Sequence, residues 1–215
     1  MIVNKDLKRR IIEISYKHKL SHLGSCLTTV DLIKEIYDEK NDDEKFVLSA
    51  GHSGLALYVV LESIYPRVDA EEYIKRDGIH PDRNNESEEF IDCSTGSLGH
   101  GLPIAIGMAL SDRNKNVYCM ISDGECGEGS ISESLRIMAE HEINNLYVYI
   151  NDNGYSAYDR TVNRVRWLLY SFPSLHSNMN HKITNCDYLP FLKGLEGHYH
   201  IMNENEYDFA LGILG

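Results

Sequence analysis

The chain has 215 residues, 42% of them hydrophobic, with 21 Lys and Arg against 33 Asp and Glu for a net charge of -12. That length fits one ordinary domain and that hydrophobic content excludes wholesale disorder, while the acidic balance argues against nucleic-acid and membrane-surface binding. No apolar run reaches the roughly 18–20 residues a membrane-spanning helix needs, and residues 1–6 lack the apolar core of a signal peptide, so a cytoplasmic protein is expected.

Leu7, Ile11, Ile14 and His18 recur at helical spacing, and a second helix is expected at Leu32, Ile33, Ile36 and Tyr37 behind Thr28 and Thr29 as caps. Residues 46–49 read as a short buried strand that runs into Gly51 and His52, then into an apolar helix carrying Ala56, Val59, Val60 and Ile64. This is the strand, turn, helix beat of an α/β protein. Residues 77–92 turn polar and charged, which predicts an exposed loop ending at Ser94-Thr95-Gly96. The next helix, 102–110, is apolar on nearly every side, so burial beneath other elements is expected. Residues 117–121 read as a central strand, 131–139 as a one-faced helix and 146–150 as the next strand, together a parallel crossover unit. Beyond Asn153 the pattern predicts a helix over 162–170, a loop over 171–187, a strand over 198–202 and a helix over 205–214. The expected fold class is α/β, a parallel β-sheet flanked by helices on both faces.

Five cysteines, Cys26, Cys93, Cys119, Cys126 and Cys186, are scattered and contain no C-x-x-C pair, so they are read as reduced thiols and not as a disulfide framework or zinc knuckle. Open parallel sheets bind ligands where strands end and helices begin, because helix amino termini offer unpaired N–H groups to anions. Two such places stand out. One is the glycine-rich turn Ser94-Thr95-Gly96-Ser97-Leu98-Gly99-His100-Gly101, whose spacing is not the dinucleotide fingerprint. The other pairs Ser122-Asp123-Gly124-Glu125-Cys126-Gly127-Glu128-Gly129 with Asn151-Asp152-Asn153-Gly154, each following a strand. If those strands are neighbours, Asp123 and Asn153 meet beyond the strand ends as part of an all-oxygen set suited to magnesium or calcium holding a phosphate. Helix capping by Asp123 and turn formation by Asn153 is the plainer alternative. Neither stretch has the spacing of a helix-loop-helix calcium site.

The segments Ser21-His22-Leu23-Gly24-Ser25, 46–52, Ile79-His80-Pro81, 94–103 and Ser122-Asp123-Gly124-Glu125 to Asn153 occur in the order of the amino-terminal module of transketolases, and the match covers about residues 7–155. The chain resembles that family, although Ser122 stands where its metal motif usually has Gly. The resemblance implies a thiamine diphosphate-binding fold in which Asp123, Asn153 and the Tyr155 carbonyl hold Mg2+ and the metal holds the cofactor's diphosphate. It implies that Gly124 and His52 also meet the diphosphate, that Gly96 and Leu98 line the aminopyrimidine, and that His22, His52, His80 and His100 lie near the reacting carbon and sugar hydroxyls. Histidine suits that setting, since it donates to alkoxides and exchanges protons near neutral pH. Glu128 falls where the family has an acid reaching toward a neighbouring protomer; a solvated carboxylate at a helix start is the alternative. His18, His141, His176, His181, His198 and His200 match none of the motifs and are read as structural.

In the family, the glutamate that assists proton removal from the cofactor comes from a separate pyrimidine-binding domain, for which this chain is too short. The resemblance therefore implies the amino-terminal subunit of a split transketolase. Residues 1–215 would form one diphosphate-side domain without its last strand, paired with a carboxy-terminal subunit that carries the pyrimidine-binding domain. A heterotetramer, as a dimer of pairs acting on sugars or sugar phosphates, is the family expectation. A condensation of the 1-deoxyxylulose-5-phosphate synthase kind using pyruvate, or a noncatalytic cofactor-binding subunit kept for assembly, are the alternatives.

Overall fold

A computed structural model of the chain describes residues 2–215. Four parallel strands, β1 (Lys45–Leu48), β2 (Val117–Ser122), β3 (Leu146–Asp152) and β4 (Met179–Ile183), lie side by side in chain order. Side chains alternate across a strand, so each strand feeds two cores. Phe46, Leu48, Tyr118, Met120 and Tyr149 enter one core, together with α1 (Lys5–His18), α2 (Leu23–Glu39), α3 (Gly54–Ile64), α4 (Ala70–Asp77) and α9 (Glu204–Leu214). Val47, Cys119, Ile121, Val148 and Ile150 enter the other, against α5 (Gly101–Ser111), α6 (Gly129–Glu140) and α7 (Arg164–Ser171). Helices thus cover both faces of a parallel sheet, as expected.

Several expectations need correction. Thr28 and Thr29 lie inside α2 and do not cap it: the helix starts at Leu23 because Leu23, Leu27 and Val30 all bury, and the turn before it is made by His22 in the left-handed region at φ 60. The helix α4 falls outside the expected pattern; it is short, buries only Ala70, Tyr73 and Ile74, and depends on Asp69, which accepts the N–H groups of Glu71 and Glu72. The loop expected over 171–187 contains β4, an edge strand of which only Met179 is buried, so its hydrophobic signal is faint. The strand expected over 198–202 is absent; that stretch begins in the short helix α8 (Glu196–Tyr199) and continues outside any ladder. α5 is not covered on all sides either, with Ile104 40% and Leu110 42% exposed. No described helix is long and apolar enough to cross a membrane.

Candidate functional site

The strands end together. Leu48 is level with Met120 and Ser122 with Asn151, so the turns after β1, β2 and β3 open on one edge, where an open parallel sheet receives its ligand. There the turns frame a cleft of about 190 Å³, whose walls include His22, His52, His80, Gly96, Leu98, Ser122, Gly124, Asn153, Tyr155 and His198. Eight of the residues singled out in the sequence meet there. His100 and Glu128 do not: both are exposed, His100 just before α5 and Glu128 just before α6, and neither lines the cleft.

Asp123 sits directly behind the cleft wall, fully buried. Its Oδ2 accepts the Gly154 N–H at 2.9 Å and the Thr161 hydroxyl, whereas Oδ1 is sealed with no hydrogen-bond partner. Burial, opposed by the Thr161 bond and reinforced by the Asp152 charge, pushes its carboxyl up to about 6. Asp123 caps no helix. Asn153, across the β2–β3 step, uses Oδ1 to accept the Tyr155 N–H at 3.0 Å and faces the cleft. Among the described residues no three His, Cys, Asp or Glu side chains are gathered to hold a metal. The oxygen donors available are therefore one carboxylate, one amide and the main chain, a set that suits a hard cation sharing its coordination with phosphate oxygens.

Opposite these oxygens stands a cluster of imidazoles. The ring centroids of His22 and His52 are 5.4 Å apart, those of His22 and His198 5.9 Å, and those of His52 and His198 6.2 Å. Burial first and neighbouring imidazoles second lower all three: His52 falls to about 3, His198 to about 4, and His22 moves in the same direction. The cluster is thus neutral near pH 7, each ring offering one N–H donor and one acceptor nitrogen.

His198 matches no sequence motif, yet it lines the cleft. What brings it there is backbone contact. A Cβ on Gly24 would lie 2.7 Å from the Gly197 Cα, so α2 and α8 touch main chain to main chain. The His198 carbonyl then accepts the His22 N–H at 2.7 Å, steadying a non-glycine residue in the left-handed region. The signal available in the sequence is the Gly197-His198 pair, too short to interpret alone. Glu125 is the other residue to which the motifs give no role; it is fully buried under the cleft floor, and burial raises its carboxyl.

The glycine-rich turn also reaches the cleft through close approach. A Cβ on Gly51 would come within 2.7 Å of the Gly96 nitrogen, so only glycine lets the two turns touch. Residues 78–207 match the family model described as thiamine pyrophosphate enzyme, C-terminal TPP binding domain. The chain belongs to the transketolase-like thiamine pyrophosphate enzymes. Thiamine pyrophosphate, the same molecule as thiamine diphosphate, is accordingly the cofactor of this thiamine pyrophosphate-binding module. Its relatives include one subunit of the apulose-4-phosphate transketolase of Phocaeicola vulgatus, 30% identical with 68% of this chain and 58% of that protein covered. Transketolase-like protein 2 of Mus musculus is 33% identical, with 61% of this chain and 24% of that protein covered. This member of the family thus spans little more than half of the first relative and about a quarter of the second. The crystal structure of transketolase from Campylobacter jejuni superimposes with a TM-score of 0.78 at 19% identity, over 98% of this chain and 42% of that one, which establishes the shared fold.

Proposed function

We propose that this chain is the diphosphate-side subunit of a split transketolase-like enzyme that moves a two-carbon ketol unit from a ketose to an aldose. Residues 1–215 form the one domain that takes the diphosphate end of thiamine diphosphate, with Mg2+ held by Asp123, Asn153 and the Tyr155 carbonyl. The single observation that carries this reading is the buried, unpartnered Oδ1 of Asp123 beside Asn153 at the cleft, a carboxylate oxygen that awaits a cation.

When bound, thiamine diphosphate supplies the carbon nucleophile that the reaction needs. The chain's own residues do the rest on this side of the site. Gly124 and His52 meet the diphosphate, and Gly96 and Leu98 border the aminopyrimidine. His22, His80 and His198 offer ring nitrogens to the hydroxyl and carbonyl oxygens of the sugar. A ring N–H donates a hydrogen bond to an oxygen on which negative charge grows, and so stabilises it. Glu128, outside the cleft, reaches toward a neighbouring protomer in this reading, whereas His100, also outside it, takes no part in holding the sugar.

A partner chain is part of the proposal. The cleft opens at the carboxyl edge of the sheet, which is where a second chain would complete it. Two relatives are each named as one lettered subunit of an apulose-4-phosphate transketolase, which supports a partner chain and sugar-phosphate substrates. That partner carries the pyrimidine-binding domain and its glutamate, and two such pairs make a heterotetramer. The test is purification of the chain with its partner from native lysate, followed by assay with a ketose phosphate donor and an aldose phosphate acceptor in the presence of Mg2+ and thiamine diphosphate. Ketol exchange supports the reading. Product formed from pyruvate without exchange, or full cofactor occupancy without turnover, overturns the transfer.

A further inference from the structure

Glu125 has no exposed surface, and none of the roles above employs it. Each group its carboxylate contacts is a donor. Oε1 accepts the Ser49 hydroxyl at 2.6 Å and the Gly99 N–H at 2.9 Å, while Oε2 accepts the Ser122 N–H at 2.9 Å and the Ser122 hydroxyl at 3.3 Å. Ser49 Oγ in turn accepts the Gly101 N–H at 3.1 Å. These groups belong to three separate pieces of chain: the end of β1, the glycine-rich turn and the end of β2.

A carboxylate is the one side chain that can accept from all of them at once, since it is acceptor-only and has about four lone-pair sites. Bonds to it are charge-assisted and stronger than neutral ones, and a buried N–H left without such a partner is costly. On the far side, the Ser130 hydroxyl donates to the Gly99 carbonyl at 3.0 Å, so the turn is gripped from two directions. We propose that Glu125 is a positioning residue that fixes the glycine-rich turn against the ends of β1 and β2, and so sets where Gly96 and Leu98 stand in the cleft. The consequence for cofactor binding rests on the function proposed above; the anchoring of the turn does not.

Glu125→Gln tests it in the full chain. An amide has nearly the same shape but sets N–H groups against the Ser122 N–H in one orientation, and against the Gly99 N–H and the Ser49 hydroxyl in the other. Amide hydrogen exchange of Gly99 and Gly101 is expected to quicken about tenfold or more, the loss of one charge-assisted bond, while Cys119, Ile121 and Val148 in the sheet keep their protection. Ser49→Ala removes one donor and orphans the Gly101 N–H, so it should loosen the same turn by a smaller factor, and it decides the matter if Glu125→Gln does not fold. In the assembled protein with MgCl2, thiamine diphosphate affinity should drop about tenfold in Glu125→Gln. Unchanged exchange at Gly99 in both variants, or exchange that quickens equally across the sheet, overturns the proposal. If the turn loosens but the unaltered protein takes up no thiamine diphosphate, the proposed function fails and the anchoring stands.

Discussion

Asp123 is held in a state that its own fold disfavours, and that gives it two opposed mutational effects. Asp123→Asn keeps the shape and an oxygen for the Gly154 and Thr161 donors, but removes a buried charge that faces Asp152. The cofactor-free chain should therefore gain about 1 kcal/mol, or roughly 2–4 °C for a chain of this size. The Mg2+ dependence of cofactor uptake should vanish in the same variant. Calorimetric melting with and without Mg2+ and thiamine diphosphate checks both; destabilisation of the free chain together with intact Mg2+ dependence would remove Asp123 from the metal role. Gly24→Ala probes the other wall. Its methyl group has no room against the Gly197 main chain, so α8 must shift, breaking the bond from the His22 N–H to the His198 carbonyl. A loss of about 1–3 kcal/mol is expected by urea titration, with displacement of His198 in a crystal structure of the variant. At this scale the sequence is informative where chemistry-bearing residues come in motifs, as with Asp123 and Asn153, whose meeting the strand register produces. It is silent on His198, because that contact depends on two glycines 173 positions apart in the chain (24 and 197).

Among the elements, α5 departs furthest from its hydrophobic pattern. Its apolar composition predicts burial, yet Ile104 and Leu110 face outward, with Leu98 at the preceding turn 37% exposed. We predict that Ile104 and Leu110 pack against another protomer in the proposed assembly. Ile104→Lys with Leu110→Lys should leave the isolated chain's stability within about 0.5 kcal/mol for each site, as for surface positions, and should weaken assembly. Sedimentation with and without the partner reads this; an unchanged assembly would take α5 out of the interface. β4 illustrates the reverse difficulty. Asn180, His181 and Lys182 carry no apolar alternation, and only the ladder with β3 and the buried Met179 make the segment a strand. Edge strands of this kind are specified by their neighbours more than by their own residues. β2 and β3, covered on both faces, are plain in the sequence because apolar side chains are required at nearly every position.

Over the whole molecule, the imidazole cluster makes stability depend on pH in a direction that can be worked out. The folded chain holds His52 near 3 and His198 near 4, and lowers His22, against about 6.5 for a free imidazole. Groups whose folded value is depressed contribute fully above the unfolded value, and that contribution is lost as the pH falls, because the unfolded chain takes up protons that the folded chain refuses. Asp123 and Glu125 act oppositely, since burial raises both and the folded chain binds their protons first. Asp123 and Glu125 thus offset part of the loss that the histidines produce as the pH falls below 6.5. Removing one member isolates its share. His52→Gln takes away the most depressed of the three, so the slope of unfolding free energy with pH below 6.5 should shrink by about 1.4 kcal/mol per pH unit, one proton's worth. Urea unfolding at a series of pH values measures it, and an unaltered slope would mean that His52 is charged in the folded chain. The acidic composition could not have disclosed this, because a net charge of -12 says nothing about which ionisable groups the sheet's carboxyl edge has drawn out of water. The fold creates the cluster by bringing the turn before α2, the turn after β1 and α8 to one cleft. A charged imidazole there would repel the cation that the proposed function assigns to Asp123, so the burial that lowers acid stability also favours that proposed site near pH 7.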